Sequence, residues 1–291
     1  MMKLSLGSVQ LGVAYGVNNA VGALSDTEAD AVLEAAVLSG FTMVDTSTDY
    51  GSALPRIGRF LRKHPGALEV VAKFHAAETP DVIRGLKGYC RDALGRAADY
   101  TLLWTSGQDI AALDPGLADG VTVYDVAEAE AVGPGFEMVQ VPASCLDGRM
   151  DAEIPALQAQ GKTVLVRSLL LQGLLAADPA TGPAGHYNCP ELASLARPYL
   201  HGLRGIAADA GLSVPEIAVR WAWQLDCDVA IVGAETVEQV VEIGAAWHKG
   251  PLPATVVYEV LALRESVPKV VISPREWAQE FAFTLGRPDA G

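Results

Sequence analysis

Three residues near the ends of two predicted strands have the types that proton transfer at neutral pH requires. Asp45 and Tyr50 follow one β-rich run closely, and Lys73 lies near the end of the next run. A tyrosine is a weak acid with a usual pKa of about 10, and a neighbouring ammonium lowers that pKa. An aspartate paired with the lysine keeps the ammonium charged in a buried site. These residues predict a tyrosine that protonates a developing alkoxide. The alternative is a structural Asp45–Lys73 ion pair beside a packed tyrosine.

Four further residues are candidates for the substrate pocket. Trp104 ends a predicted strand, where it either forms a stacking wall for a ring or sugar or simply fills space. His75 comes shortly after Lys73, and His186 lies in a loop rich in Gly, Pro and Ala, so both are candidates for the pocket rim. Arg167 either binds a substrate carboxylate or phosphate or forms a salt bridge at the surface.

The elements that must position these residues are eight short β-rich runs that alternate with helical patterns. Most runs are continuously apolar, which is typical of parallel strands covered by helices. Helix starts are indicated by capping boxes at 25–28 and 213–216 and by N-cap residues Thr79 and Thr236. The predicted strands are Lys3–Leu6, Phe41–Val44, Glu69–Phe74, Tyr100–Trp104, Val121–Tyr124, Met138–Val141, Thr163–Val166 and Val229–Val232.

This alternation predicts a (β/α)8 TIM barrel that occupies residues 1–291 as a single domain, with 286–291 as a loose tail. The alternative is a doubly wound sheet, which favours a Gly-x-Gly-x-x-Gly turn after the first strand. Residues 7–12 do not have that spacing. Catalytic residues of barrels lie at the carboxyl ends of the strands. We therefore expect Asp45, Tyr50, Lys73 and Trp104 to converge at one end of the barrel.

The composition and charge of the chain limit the classes of partner that it can bind. Half of the residues are hydrophobic, and 21 Lys and Arg against 35 Asp and Glu give a net charge of −14, which disfavours nucleic acid and anionic membranes. The start of the chain lacks a signal-peptide pattern, and no run has the roughly 20 apolar residues of a membrane helix. We expect a cytoplasmic monomer or weak homo-oligomer without bound metal. The cysteines, expected as buried free thiols, are Cys90, Cys145, Cys189 and Cys227.

Residues 44–51 (VDTSTDYG) and 57–61 (IGRFL) combine an Asp-Thr, a Tyr-Gly and an Ile-Gly pair within a short stretch. They resemble the signature of the aldo-keto reductase family, which consists of Asp-Thr-Ala, Tyr-Gly and Leu-Gly. The resemblance implies a (β/α)8 barrel that transfers hydride between a nicotinamide nucleotide, NADP(H) or NAD(H), and a carbonyl. Further segments match in the same order: residues 6–12 (LGSVQLG), 71–73 (VAK), 167–175 (RSLLLQGLL) and 231–234 (IVGA).

The resemblance also implies roles for individual residues. Tyr50 is the implied proton donor, tuned by Lys73 and Asp45. Gln140 is implied to bind the nicotinamide amide, and Thr122 stands where a serine of the fifth strand helps to hold that amide. The other implied nucleotide-binding residues are Ser8, then Ser168, Leu170 and Gln172 along the pyrophosphate, and Gly233, Thr236 and Gln239 at the adenosine end.

The departures from the family pattern lie in the pocket. The fourth strand of the family usually ends in a histidine that orients and polarises the carbonyl, and Trp104 stands there. Residues 53–55 (ALP) replace the usual Ser-Glu, and Ser144 replaces the usual Asn. These changes leave three functions open. The first is an NAD(P)-dependent oxidoreductase, the second is a non-redox lyase or isomerase that uses Tyr50 and Lys73, and the third is a non-catalytic binding protein.

The segment after the eighth strand bears on the choice of nucleotide. Residues 233–242 contain three glutamates and no Lys or Arg. The 2′-phosphate of NADPH requires cations and is repelled by like charge. We therefore predict a weaker preference for NADPH than is usual for the family, unless Arg275 folds back to supply the cation.

Overall fold

The computed structural model describes residues 2–177 and 190–280, in which eight parallel strands form a closed barrel. Each strand pairs with the next along the chain, and the first pairs with the last, with Leu4 opposite Ala230. The predicted (β/α)8 barrel is confirmed, and the doubly wound alternative, which leaves two open sheet edges, is wrong. The strands are β1 Lys3–Gly7, β2 Met43–Ser47, β3 Glu69–His75, β4 Tyr100–Trp104, β5 Gly120–Thr122, β6 Met138–Pro142, β7 Thr163–Arg167 and β8 Val229–Gly233.

Helices surround the barrel and follow it to the end of the described chain. Short 3-10 turns at Val9–Leu11, Ile110–Ala112, Pro115–Leu117 and Leu171–Ala176 add to them. The α-helices are α1 Asp26–Leu38, α2 Ala53–Lys63, α3 Pro80–Leu94, α4 Val126–Glu130, α5 Glu153–Ala159, α6 Pro190–Asp209, α7 Val214–Arg220, α8 Ala222–Leu225, α9 Val237–His248, α10 Ala254–Arg264, α11 Lys269–Ile272 and α12 Pro274–Glu280.

Two strand ends differ from their predictions in ways that matter for the site. The second strand extends beyond Val44 to Ser47, so Asp45 lies within the strand. The fifth strand ends at Thr122 and does not include Tyr124, which lies in the loop that leads to α4.

The predicted helix caps are largely present. Thr79 and Thr236 cap α3 and α9, and the capping box of α1 is complete, because Ser25 Oγ accepts from the Glu28 N–H and Glu28 accepts from the Ser25 N–H. The second predicted box is only half formed. Its carboxylate, from Glu216, pairs with Arg220 and Lys249, two cations that are stronger partners than a backbone N–H.

The barrel interior is divided into layers by the alternation of side chains along each strand. An apolar layer fills the middle of the barrel, and the residues two positions farther along five of the strands are polar or aromatic. The apolar residues are Met43, Val71, Leu102, Met138, Leu165, Val229 and Ile231. The next layer, at the carboxyl ends, contains Asp45, Lys73, Trp104, Gln140 and Arg167. The sequence period of two therefore places these five residues above an apolar floor.

Some predictions concern residues outside this layer. Three cysteines, Cys90, Cys145 and Cys227, are buried free thiols. The fourth, Cys189, together with His186 and the tail 286–291, lies outside the described residues. Within the described ranges, no helix is long and apolar enough to cross a bilayer. The same ranges hold no group of three His, Cys, Asp or Glu side chains that could bind a metal ion.

Candidate active site

The polar layer contains a buried ion pair that joins three strands. Lys73 Nζ donates to Asp45 Oδ1, and both side chains are at most 5% exposed. Gln140 Nε2 donates to the other carboxylate oxygen, Asp45 Oδ2, at 2.8 Å. Both oxygens of a buried carboxylate are therefore bound by donors, which offsets the cost of removing its charge from water.

Tyr50 is held beside this pair by a tight turn. Its N–H donates to Ser47 O at 3.2 Å, and Ser47 Oγ donates to Lys73 O at 3.2 Å. Gly12 packs directly on the turn, since a Cβ atom there would lie 1.7 Å from Tyr50 O. Gly51 has a φ of +52°, which favours glycine. These contacts place the Tyr50 ring centroid 5.1 Å from Lys73 Nζ.

The pKa of Tyr50 is not lowered, although the sequence predicts that the neighbouring Lys73 lowers it. Desolvation raises the pKa of Tyr50 above its usual value and outweighs the positive charge of Lys73, which acts in the opposite direction. Burial disfavours the ammonium of Lys73, but the charge of Asp45 prevails and the pKa of Lys73 is raised. The structure therefore keeps Lys73 charged and Tyr50 protonated at neutral pH.

A second cluster lies at the mouth of the barrel, on the side of β4 and β5. Trp104 Nε1 donates to Tyr124 Oη at 2.6 Å. The guanidinium groups of Arg167 and Arg275 lie 4.4 and 4.8 Å from the Tyr124 ring centroid, within the range of cation–π attraction. Glu128 pairs with Arg275 at 2.9 Å. The cluster thus combines two aromatic rings, two guanidiniums and one paired carboxylate.

Tyr124, Glu128 and Arg275 are the members of this cluster that sequence reasoning did not assign to the pocket. Tyr124 could have been found as the last residue of the predicted fifth strand, whereas Arg275 belongs to α12, which no strand-end rule locates. The predicted rim residue His75 contacts the cluster edge-on, with its ring centroid 5.4 Å from that of Trp104. Its Nε2 atom lies 3.1 Å from Ser106 Oγ.

Three residues implied to hold the nucleotide have buried polar atoms that lack a hydrogen-bond partner among the described residues. These atoms are Ser8 Oγ, Gln140 Oε1 and Gln172 Oε1. Unpaired buried polar atoms are uncommon in native proteins and call for a ligand or water. Ser168, Leu171 and Gln172 also adopt positive φ values of 67°, 46° and 55°. These features fit a site that a polar group such as the nicotinamide nucleotide completes.

Other implied nucleotide residues are bound within the chain. Thr122 Oγ1 accepts from the Thr105 N–H at 3.1 Å, and Gln239 Oε1 accepts from the Glu235 N–H at 2.7 Å. Thr236 caps α9, and Leu170 O accepts from the Gly173 N–H at 2.9 Å. Gly233 lies under the side chain of Gln10, because a Cβ atom there would be 2.7 Å from Gln10 Nε2. Gln10 Oε1 is another buried atom without a partner in the described chain.

The segment after β8 has the acidic character expected from the sequence. Burial raises the pKa of Glu235 to about 7, although the hydrogen bond with Gln239 lowers it in part. Within the described residues, Glu235, Glu238 and Glu242 form no salt bridge. Arg275 pairs with Glu128 near Tyr124 and does not reach this segment.

These features define a (β/α)8 barrel with a buried Asp45–Lys73 pair beside Tyr50 at the carboxyl ends of its strands. The family model described as "Aldo/keto reductase family" matches residues 118–265, just over half of the chain. The chain therefore belongs to the aldo/keto reductase family, a family of oxidoreductases. The matched span includes Gln140 and Arg167, whereas Asp45, Tyr50 and Lys73 precede it.

Solved structures share this fold over nearly the whole chain. The glycerol dehydrogenase of Gluconobacter oxydans is 18% identical, with 91% of each chain covered and a TM-score of 0.70. An aldo-keto reductase of Klebsiella pneumoniae in complex with NADPH is 17% identical, with 93% of each chain covered and a TM-score of 0.68. The holo form of an aldo-keto reductase of Bacillus halodurans is 17% identical, covering 92% of this chain and 94% of its own, with a TM-score of 0.68. No curated protein sequence matches the chain.

Proposed function

We propose that the protein catalyses the NAD(P)H-dependent reduction of a carbonyl group, or the reverse oxidation, on a small anionic or sugar-like metabolite. The observation that carries this proposal is the buried Asp45–Lys73 pair beneath Tyr50 at the carboxyl ends of the strands. Family membership and the similarity to a reductase solved with NADPH support the choice of hydride transfer.

The proposed nucleotide site combines the three residues with unpartnered buried atoms, Ser8, Gln140 and Gln172, with Ser168 beside them. Leu170 and Gly233 would contribute backbone, and Thr122, Thr236 and Gln239 would support the site through the local hydrogen bonds that they already make. When bound, the nucleotide supplies or accepts the hydride. Gln140 has one donor committed to Asp45, and its free oxygen remains an acceptor for an amide.

The proposed proton donor is Tyr50. It gives its hydroxyl proton to the oxygen that develops negative charge as the carbonyl carbon is reduced. Lys73 stabilises the tyrosinate that remains, and Asp45, fixed by Gln140, holds the ammonium in place. Water at the mouth then returns a proton to Tyr50.

The proposed charge preference of the substrate rests on Arg167 and Arg275. Both guanidiniums lie against the Tyr124 ring, and one carboxylate, Glu128, pairs with one of them. Among the described residues this leaves a positive charge at the mouth of a protein whose net charge is −14. Such a charge favours carboxylate- or phosphate-bearing substrates.

The experiment is an assay of nucleotide consumption with a panel of aldehydes and ketones that carry carboxylate, phosphate or hydroxyl groups. We expect Tyr50→Phe to reduce kcat by roughly 10²-fold or more, whereas Tyr258→Phe, a change at a residue that is 75% exposed on α10, leaves it unaltered. Because the pKa of Tyr50 is raised, reduction should persist through neutral pH and decline only above the usual tyrosine pKa of about 10.

Three results would contradict the proposal. Unchanged turnover by Tyr50→Phe would remove Tyr50 as the acid. Turnover that needs Tyr50 but no nucleotide would support a lyase or isomerase on the same barrel, and ligand binding without any turnover would support a binding protein.

A further inference from the structure

Trp104 orients the Tyr124 hydroxyl by donating a hydrogen bond to its oxygen, so this bond does not involve the hydroxyl proton. An indole N–H can only donate, so the 2.6 Å hydrogen bond from Trp104 occupies a lone pair of the Tyr124 oxygen. This is the one hydrogen bond of that hydroxyl within the described part of the chain. The hydroxyl proton therefore has no acceptor in residues 2–177 and 190–280 and can be donated to a ligand at the mouth of the barrel.

The surroundings of Tyr124 favour an electron-rich oxygen at its hydroxyl. Arg167 and Arg275 both lie within 5 Å of its ring centroid. Their two guanidiniums attract the negative charge that a carbonyl oxygen develops within reach of this hydroxyl. Both cations are held by the protein itself, since Arg167 Nη2 donates to Val123 O at 3.0 Å and Arg275 pairs with Glu128.

Tyr124 and Tyr50 are linked through two neighbouring strands at the carboxyl end of the barrel. Trp104, which donates to Tyr124, lies opposite His75 in the register of β3 and β4. His75 is two residues beyond Lys73, whose Nζ lies over the Tyr50 ring. A deprotonated Tyr124 would raise the pKa of Tyr50, so the two phenols lie within electrostatic range of each other.

We propose that Tyr124, oriented by Trp104, donates a hydrogen bond to the same substrate oxygen that receives the proton of Tyr50. This inference rests on the proposed function. As the carbonyl carbon accepts hydride, the π electron pair moves to oxygen, the O–H bond of Tyr50 breaks and a new O–H bond forms on the substrate. Tyr124 keeps its proton throughout and stabilises the developing negative charge. Tyr124 would thus polarise the carbonyl, as the family histidine does at the position of Trp104. Trp104 would act as a positioning residue.

The test compares kcat and KM of Tyr124→Phe with those of the unaltered protein, at saturating NADPH and with the best substrate of the carbonyl panel. The substitution retains the ring and its two guanidinium contacts and removes only the hydroxyl. We expect kcat to fall about 10²-fold while KM changes less than about threefold, as for the loss of one donor to a developing oxyanion. Trp104→Phe should lower kcat about tenfold, because it removes the indole N–H that orients the Tyr124 hydroxyl. Tyr258→Phe should have no effect, and all variants should keep the Tm of the unaltered protein within a few degrees.

The pH profile separates the two tyrosines. Tyr124→Phe should keep the alkaline decline that Tyr50 causes, because Tyr124 does not transfer a proton. Loss of that decline, or a kcat of Tyr124→Phe within about twofold of the unaltered protein, overturns the inference. If Tyr50→Phe is inactive in that case, the proposed function itself stands. If the unaltered protein shows no nucleotide-dependent turnover, both the proposed function and this inference are wrong.

Discussion

The proposed acid–base half and the proposed nucleotide half of the barrel mouth differ in how completely their polar groups are paired. In the acid–base half, on β2, β3 and β6, Lys73 and Gln140 bind both oxygens of the buried Asp45. In the nucleotide half, Ser8, Gln172 and the side-chain oxygen of Gln140, whose amide nitrogen binds Asp45, keep buried atoms without partners among the described residues. Each such atom costs about 1–3 kcal/mol. We infer that the chain itself organises the first half, whereas a ligand completes the second.

The backbone of the two halves differs in the same way. Residues of β2 and β3 have the regular register of neighbouring parallel strands. In the nucleotide half, Ser168, Leu171 and Gln172 have left-handed backbones, which cost about 1–2 kcal/mol at each non-glycine residue. The hydrogen bond from the Val17 N–H to Gln172 O helps to hold this shape. Strain of this kind is typical of segments that are preformed for binding.

The largest effect is expected from Lys73→Met, which breaks the buried ion pair of the acid–base half. The substitution leaves Asp45 buried without its cation, which should lower the free energy of unfolding by about 3–5 kcal/mol and abolish turnover. Denaturant titration measures the stability. The matched control is Lys63→Met, because Lys63 pairs with Asp30 but is 59% exposed, and it should cost less than about 1 kcal/mol. Equal losses in both variants would show that the buried pair has no special role.

A smaller effect is expected from Glu235→Gln in the nucleotide half. With a pKa of about 7, Glu235 is mostly neutral below that pH and charged above it. Affinity for NADPH, relative to NADH, should therefore weaken as pH rises through 7, because the charged form repels the 2′-phosphate. We expect Glu235→Gln to strengthen NADPH binding about tenfold at about pH 8, or 1.4 kcal/mol, and to reduce that pH dependence.

The control for this prediction is Glu238→Gln, which removes the same charge at an exposed position of the same segment. Its effect on the NADPH to NADH ratio should be smaller. If the unaltered protein prefers NADPH about a hundredfold, then a cation outside this segment binds the phosphate and the prediction fails.

The smallest effect is expected from Gln172→Gly, which should change stability and binding in opposite directions. Glycine tolerates the φ of 55°, so the free energy of unfolding should rise by about 0.5–1 kcal/mol. Nucleotide affinity should fall, because the buried side-chain acceptor is removed. Gln160→Gly, at a residue with a φ of −83°, should only destabilise. A loss of stability in Gln172→Gly would show that this backbone is not strained.

Part of the site could be predicted because it depends on regular rules. The barrel follows from the strand and helix alternation. Asp45, Lys73 and Trp104 then share a layer because side chains alternate along each strand. The strand ends follow no such rule, because the extension of β2 to Ser47 depends on its pairing with β3, where Ser47 lies opposite Lys73.

The remaining contacts join residues that are far apart in sequence, and no local sequence pattern predicts them. Gln140 binds Asp45 from a strand on another side of the ring, 95 residues away in sequence. Arg275 reaches Tyr124 from a helix that follows the last strand. The net direction of the Tyr50 pKa was also beyond sequence reasoning, because it depends on the balance between desolvation and the charge of Lys73.

The most direct test of the division between the two halves is the Kd of NADPH for Tyr50→Phe, measured by calorimetry with kcat determined in the same buffer. If the nucleotide half binds independently of the acid–base half, Kd should stay within about twofold of the unaltered protein while kcat falls roughly 10²-fold or more. Retained turnover, or a Kd that weakens as much as kcat falls, would contradict the account.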